Sequence, residues 1–103
     1  MIHHIVTFIW NEQTTPADVE RVQARLAELP GQLRVLLGYT FGSDIGLTEG
    51  NGDFAIIATV AGAAQLAEYA NHPRHLEVVT ELRAMARTRI AVQIESAQLP
   101  SSV

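Results

Sequence analysis

The chain opens on a segment, Ile2 to Trp10, that places Ile2, His4, Val6, Phe8 and Trp10 on one side and His3, Ile5, Thr7 and Ile9 on the other. This is the period-two pattern of a strand, with both faces largely apolar. Thr14-Thr15-Pro16-Ala17-Asp18 then supplies a capping hydroxyl, a proline at the first helical position and an acid in the first turn, and Val19, Val22, Leu26 and Leu29 follow at helical spacing. The pattern predicts an amphipathic helix ended by Pro30-Gly31. Leu33 to Phe41 alternates again, with Leu33, Val35, Leu37, Tyr39 and Phe41 on one face, and predicts a second strand. The Gly-, Ser-, Asp- and Asn-rich stretch from Gly42 to Asp53 reads as a mobile loop.

Phe54 to Val60, FAIIATV, is short, apolar and β-branched, which predicts a strand buried on both sides. Ala63 to Ala70 reads as a short helix with Ala63, Leu66 and Ala70 on one stripe and Tyr69 beside it. Asn71-His72-Pro73 interrupts it, because proline forbids simple continuation. A second helical run starts at about Pro73 and carries His75, Val78, Val79, Leu82 and Met85 on one stripe. Arg89 to Glu95 supplies a last strand; residues 1–96 form one domain and 97–103 a C-terminal tail without pattern. The order is β-α-β-β-α-β, an α+β, ferredoxin-like protomer with a four-stranded antiparallel sheet and helices on one face. Strands one and three are apolar on both sides, so the face without helices needs a cover this chain does not contain. A homodimer joined sheet against sheet is the expected solution.

At 103 residues with 48% hydrophobic positions the chain suits one domain with a core and is not a disordered segment. Seven basic residues against 11 acidic ones give a net charge of −4, which offers no footprint for nucleic acid or anionic lipid. Cysteine is absent, excluding disulfides, thiolate catalysis and Cys-based metal sites. No apolar run approaches the ~20 residues of a bilayer span, and MIHHIVTFIW has no basic n-region, so no membrane partner and a cytoplasmic location are expected.

His3, His4, His72 and His75 are the groups that titrate near neutral pH. His4 is the polar residue on the face of Ile2, Val6, Phe8 and Trp10, so it is either buried with a hydrogen-bond partner or lines a cavity. His3, on the other face, suits a structural place at an interface or in solvent. His75 lies on an apolar helical stripe, where an imidazole needs a partner or a pocket. In one continuous helix Tyr69 and His75 would diverge by about 120°, but the break at His72-Pro73 removes that constraint and lets both rings reach one cavity. A donor beside a base is what proton abstraction next to a carbonyl requires. His72-x-x-His75 is a metal-ligand spacing, yet Pro73 disfavours helix at His72 and no carboxylate set completes it, so no metal is expected. Gly50-Asn51-Gly52 is followed by a strand and not a helix, and reads as turn chemistry.

MIHHIVTFIW, the Pro30-Gly31 helix end, GDFAIIATV at residues 52–60 and above all AEYANHPRH at residues 67–75 resemble the stress-responsive A/B barrel domain family. The resemblance implies a ferredoxin-like protomer that pairs with a second copy into a dimeric α/β barrel. Function varies within that family, which includes a plant polyketide cyclase in which a Tyr and a His act together in an aldol condensation. The matching positions are Tyr69 and His75. A further pocket His matches His4, whereas another falls on Phe54, a departure that bears on the substrate.

These readings make Tyr69 and His75 the expected catalytic pair and His4 and Phe54 the expected substrate-binding residues. His75 would take a proton from a carbon between carbonyls, Tyr69 would donate to the enolate oxygen, and His4 would orient a small apolar or aromatic, polyketide-like molecule, with no cofactor. The alternatives are a non-enzymatic, stress-related or small-ligand-binding dimer, and a cofactor-free monooxygenase by analogy of fold.

Overall fold

The computed structural model describes residues 1–97; residues 98–103, most of the expected tail, lie outside the described residues. The elements are β1 (Ile2–Trp10), α1 (Pro16–Gln32), β2 (Gly38–Ser43), β3 (Phe54–Val60), α2 (Ala63–Asn71), α3 (Pro73–Met85) and β4 (Ala86–Glu95). All three strand pairings are antiparallel and the sheet order is β2-β3-β1-β4. This is the ferredoxin-like α+β arrangement, with its second helix split at His72.

The start of α1 follows from its cap. The Thr15 hydroxyl accepts from the Asp18 N–H at 3.2 Å and the Asp18 carboxylate accepts from the Thr15 N–H at 2.9 Å, so two otherwise orphaned donors are satisfied reciprocally. The end differs from the expected stop at Pro30-Gly31. Pro30 sits inside the last turn and the helix runs to Gln32, with the Leu33 N–H closing onto the Leu29 carbonyl at 2.9 Å. Pro30 costs one backbone bond, but continuing the turn places both Leu29 and Leu33 in the core, and their burial decides the outcome.

Leu33 therefore belongs to the helix end, and the second strand starts at Gly38 and not at Leu33. Leu36 N–H bonds back to the Leu33 carbonyl in a turn, Leu37 is 60% exposed, and only Tyr39 and Phe41 of the expected stripe extend along β2 into the core. The last strand is longer than expected, beginning at Ala86 directly from α3 and pairing with Trp10 across a register shift at Ile9/Trp10. The loop after Ser43 is folded on itself: Asp44 accepts from the Gly46 N–H and from the Asn51 amide, each at 3.0 Å, with Gly46 and Gly50 at positive φ.

The register fixes the two faces of the sheet. His4 lies opposite Ala58 and Gln93, Val6 opposite Ile56 and Ala91, and Phe8 opposite Phe54 and Arg89. This set faces the helices, and Val6, Phe8, Phe54, Ile56 and Ala58 join Val22, Leu26, Leu29, Tyr69, Val78, Leu82 and Met85 in one core. The opposite parity, including Ile57, Ile90, Val92 and Ile94, faces away from the helices. Ile90, Val92 and Ile94 are 63%, 53% and 51% exposed in the single chain.

Candidate functional site

The break between α2 and α3 sets the site. His72 has an extended backbone, its Nδ1 accepts from the Arg74 N–H at 3.1 Å, and Pro73 follows as the first helical residue, so His72 caps the new helix. The chain re-enters helix on a new axis. Tyr69 from the end of α2 and His75 from the start of α3 meet with ring centroids 4.1 Å apart and planes inclined by 39°.

The contact is ring against ring, and the phenol hydroxyl goes elsewhere. Tyr69 Oη lies 3.3 Å from Tyr39 Oη of β2, either able to donate. His75 Nδ1 lies 3.1 Å from the Ala70 carbonyl. A carbonyl only accepts, so Nδ1 carries the proton and Nε2 is the basic nitrogen of the neutral ring. His4 is the complement: the Gln93 amide donates to its Nδ1 at 3.0 Å, which places the His4 proton on Nε2. One imidazole is thus fixed as acceptor at Nε2 and the other as donor at Nε2.

His4, Tyr39, Tyr69 and His75 line an inner cavity of about 70 Å³, walled by apolar side chains such as Leu26, Ile56 and Val78. An outer cleft of about 440 Å³ shares His4, Tyr69, His75, Val79, Arg83 and Arg89 with it. The inner space admits only a few heavy atoms, far below the ~300 Å³ at the low end for drug-sized ligands. A larger molecule has to extend through the shared rim into the cleft.

Burial pushes the His75 imidazole below the ordinary histidine value of 6.5, the bond to the Ala70 carbonyl opposes that, and positive charge at His4, Arg89 and His72 adds to the lowering. Burial lowers His4 as well, aided by Arg89. Burial raises both phenols; the Tyr39 bond works against the rise at Tyr69, whereas the nearby Tyr69 hydroxyl adds to it at Tyr39. At neutral pH the cavity therefore holds two neutral imidazoles and two neutral phenols.

The two histidines carry a consequence for stability. Because their folded values lie below 6.5, the unfolded chain takes up protons first as the pH falls. Their contribution is intact above about pH 7 and is lost progressively as pH drops through 6.5 towards the folded values. Calorimetry at fixed protein concentration is expected to show Tm falling in that window, with a shallower slope for a His4→Gln, His75→Gln double variant. An unchanged slope would assign the acid sensitivity to other groups. Asp18, whose carboxyl is held low first by the Thr15 backbone bond, titrates below about 3.8 and acts in a separate window.

Of the residues singled out in the sequence, the fold brings Tyr69, His75 and His4 to one cavity. Phe54 is elsewhere: it is buried among Phe8, Trp10 and Phe41, with centroids 6.3, 5.4 and 6.5 Å away, and does not line the cavity. It matches Phe8 along the sheet whereas His4 matches Ala58, a separation of four residues or about 13 Å. His3 lies on the open face with Nδ1 2.9 Å from the Thr59 hydroxyl and Nε2 2.8 Å from the Ser96 hydroxyl. Tyr39, Gln93, Arg83 and Arg89 were not foreseen as site residues. A buried tyrosine needs a partner for its hydroxyl, and that signal was available for Tyr39.

The profile of the stress responsive A/B barrel domain matches residues 2–96. No curated protein matches the chain. Among solved structures, one described as a dimeric ferredoxin-like protein of unknown function from Thermobifida fusca YX is 40% identical, covering 90% of this chain and 88% of its own, with a TM-score of 0.86. A hydroxynitrile lyase from Passiflora edulis is 17% identical over 96% of each chain, TM-score 0.81. A cofactor-independent oxygenase from Streptomyces nogalater is 19% identical over 98% of this chain and 97% of its own, TM-score 0.75. The last two likenesses are likenesses of fold. Among the described residues no helix is long and apolar enough to cross a membrane.

Proposed function

The chain belongs to the stress-responsive A/B barrel domain family, and on that premise we propose that it is a homodimeric acid–base enzyme acting without a cofactor on a carbon next to a carbonyl. The observation that carries the reading is the pairing of opposite tautomers at one cavity, His75 with a free basic Nε2 and His4 with its proton on Nε2. In the proposed step the bond between hydrogen and the α-carbon breaks, the proton passes to His75 Nε2, and the electron pair moves into the carbonyl to give an enolate. Tyr69, backed by Tyr39, and His4 supply the donors to that oxygen. Return of the proton closes an exchange cycle, whereas attack of the enolate carbon on a second carbonyl gives the aldol chemistry of a polyketide cyclase. A lyase reading of the same site, proton removal with loss of a leaving group, uses the same two roles.

The assay is deuterium uptake from D2O buffer at the carbon between the two carbonyls of methyl acetoacetate, followed by NMR. Enzyme-dependent uptake above the buffer rate is the expected result. No uptake above buffer would leave a ligand-binding or structural dimer in which the Tyr69 and His75 rings only pack.

The homodimer rests on the open face. Ile57, Ile90, Val92 and Ile94 form an uncovered apolar surface on the sheet, and the Thermobifida relative is described as dimeric. Val92→Asp is expected to convert a species of twice 11.2 kDa into one of 11.2 kDa by sedimentation, since it would place a charge in a desolvated interface. A wild type that sediments at the single-chain mass would overturn the dimer.

A further inference from the structure

Five of the seven arginines of this protein matter to the surroundings of the site, three of them ion-paired and two at the cavity. Arg21, Arg25 and Arg74 are held by Asp18, Glu77 and Glu81 in a network along α1 and α3. Among the described residues, Arg83 and Arg89 have no carboxylate within ion-pair distance, and both line the inner cavity and the outer cleft. Neither space has an Asp or Glu in its lining. In a chain of net charge −4, the rim of this site is locally positive and otherwise neutral.

The placement of the two side chains is directed. His75, Val79 and Arg83 stand at successive four-residue steps on one face of α3, which puts Arg83 about 12 Å along the axis from His75. Helical side chains lean toward the N-terminus, so the Arg83 guanidinium inclines back toward the histidine. Arg89 reaches the same rim from below, on the helix-facing side of β4 opposite Phe8. Two forked, permanently charged donors at the entrance of an apolar cavity match an anion that enters with an apolar or carbonyl part leading.

We infer that Arg83 and Arg89 form a carboxylate-binding rim, and that the molecule taken by this site is a small oxo acid whose carboxylate stays at the rim while its carbonyl end reaches Tyr69 and His75. The inference takes from the proposed function only that this cavity is the ligand site. Burial is the main cause that lowers both His4 and His75 and Arg89 adds to it, and a carboxylate placed on Arg89 offsets that added part.

The experiment is an NMR titration of the full chain with butyrate and with its neutral isostere butyramide, reading the ring resonances of His4 and His75. Butyrate is expected to shift both rings and to bind at least tenfold more tightly than butyramide. Arg83→Gln and Arg89→Gln should each remove most of that preference, whereas Arg34→Gln, an exposed arginine outside both spaces, should leave it unchanged. Equal binding of the two probes, no butyrate binding, inorganic phosphate binding as tightly as butyrate, or an undiminished preference in the Arg83→Gln, Arg89→Gln double variant would each overturn the rim. Turnover is not needed for this readout, so the two ideas fail separately. Methyl acetoacetate exchange without butyrate preference removes only the rim, and butyrate preference without exchange removes only the enzyme.

Discussion

His75→Ala is expected to lower the enzyme-dependent exchange of methyl acetoacetate by roughly 10²–10⁴-fold, the usual worth of a positioned general base. The magnitude rests on Nε2 being the nitrogen left basic once Nδ1 is spent on the Ala70 carbonyl at 3.1 Å. Tyr69→Phe keeps the ring that packs against His75 and removes only the hydroxyl, so it separates packing from donation. Its loss should be smaller than that of His75→Ala, because Tyr39 and His4 remain as donors. The pH profile gives an independent check. With its folded value below 6.5, His75 stays basic under mildly acidic conditions, and the acid limb of kcat/KM should fall below pH 6.5 and vanish with the residual rate of His75→Ala. Exchange in His75→Ala equal to the wild type would take this residue out of the mechanism.

Leu26→Ala is expected to destabilise the fold by about 2–5 kcal/mol, the range for deleting a buried leucine side chain. Leu26 is 1% exposed, belongs to the core cluster and also forms part of the cavity wall. For a domain near 100 residues, such a loss corresponds to a Tm drop of roughly 10 °C or more. The same truncation joins new volume to the 70 Å³ cavity, so binding of longer carboxylates than butyrate should improve as stability falls. Thermal and denaturant unfolding are to be compared at one protein concentration, since dimerisation makes Tm concentration-dependent. A cost below about 1 kcal/mol would mean the wall collapses around the deletion, and the gain for longer ligands should then be absent too.

Most of the fold was legible because period-two and period-3.6 patterns are local properties of the chain. β1, β3, α3 and the capped start of α1 follow from them directly, and so does the surplus apolar face of the sheet. The end of α1 and the start of β2 differ from the sequence pattern for one cause. Pro30-Gly31 looks like a helix stop, and Leu33 to Phe41 alternates like a strand, but the burial of Leu29 and Leu33 in the assembled core outweighs one lost backbone bond at Pro30. The start of β4 at Ala86 was hidden because Ala86-Arg87-Thr88 has no apolar alternation; pairing with Trp10 defines it.

The sequence by itself determined which chemical groups exist and which of them share a parity: His4 inward on β1, His75 inward on α3, and a break at His72-Pro73 that frees Tyr69 from the helical phase of His75. Tertiary structure decided the rest. It directed the Tyr69 hydroxyl to Tyr39, thirty residues away in sequence, fixed the two tautomers through Ala70 and Gln93, and set Arg83 and Arg89 at one rim. It also moved Phe54 out of the site, because parity fixes the face a strand residue points to but not how far along the sheet it lies. Contacts between distant segments depend on strand register and helix docking, which are set by packing of the whole core, and no local spacing encodes them.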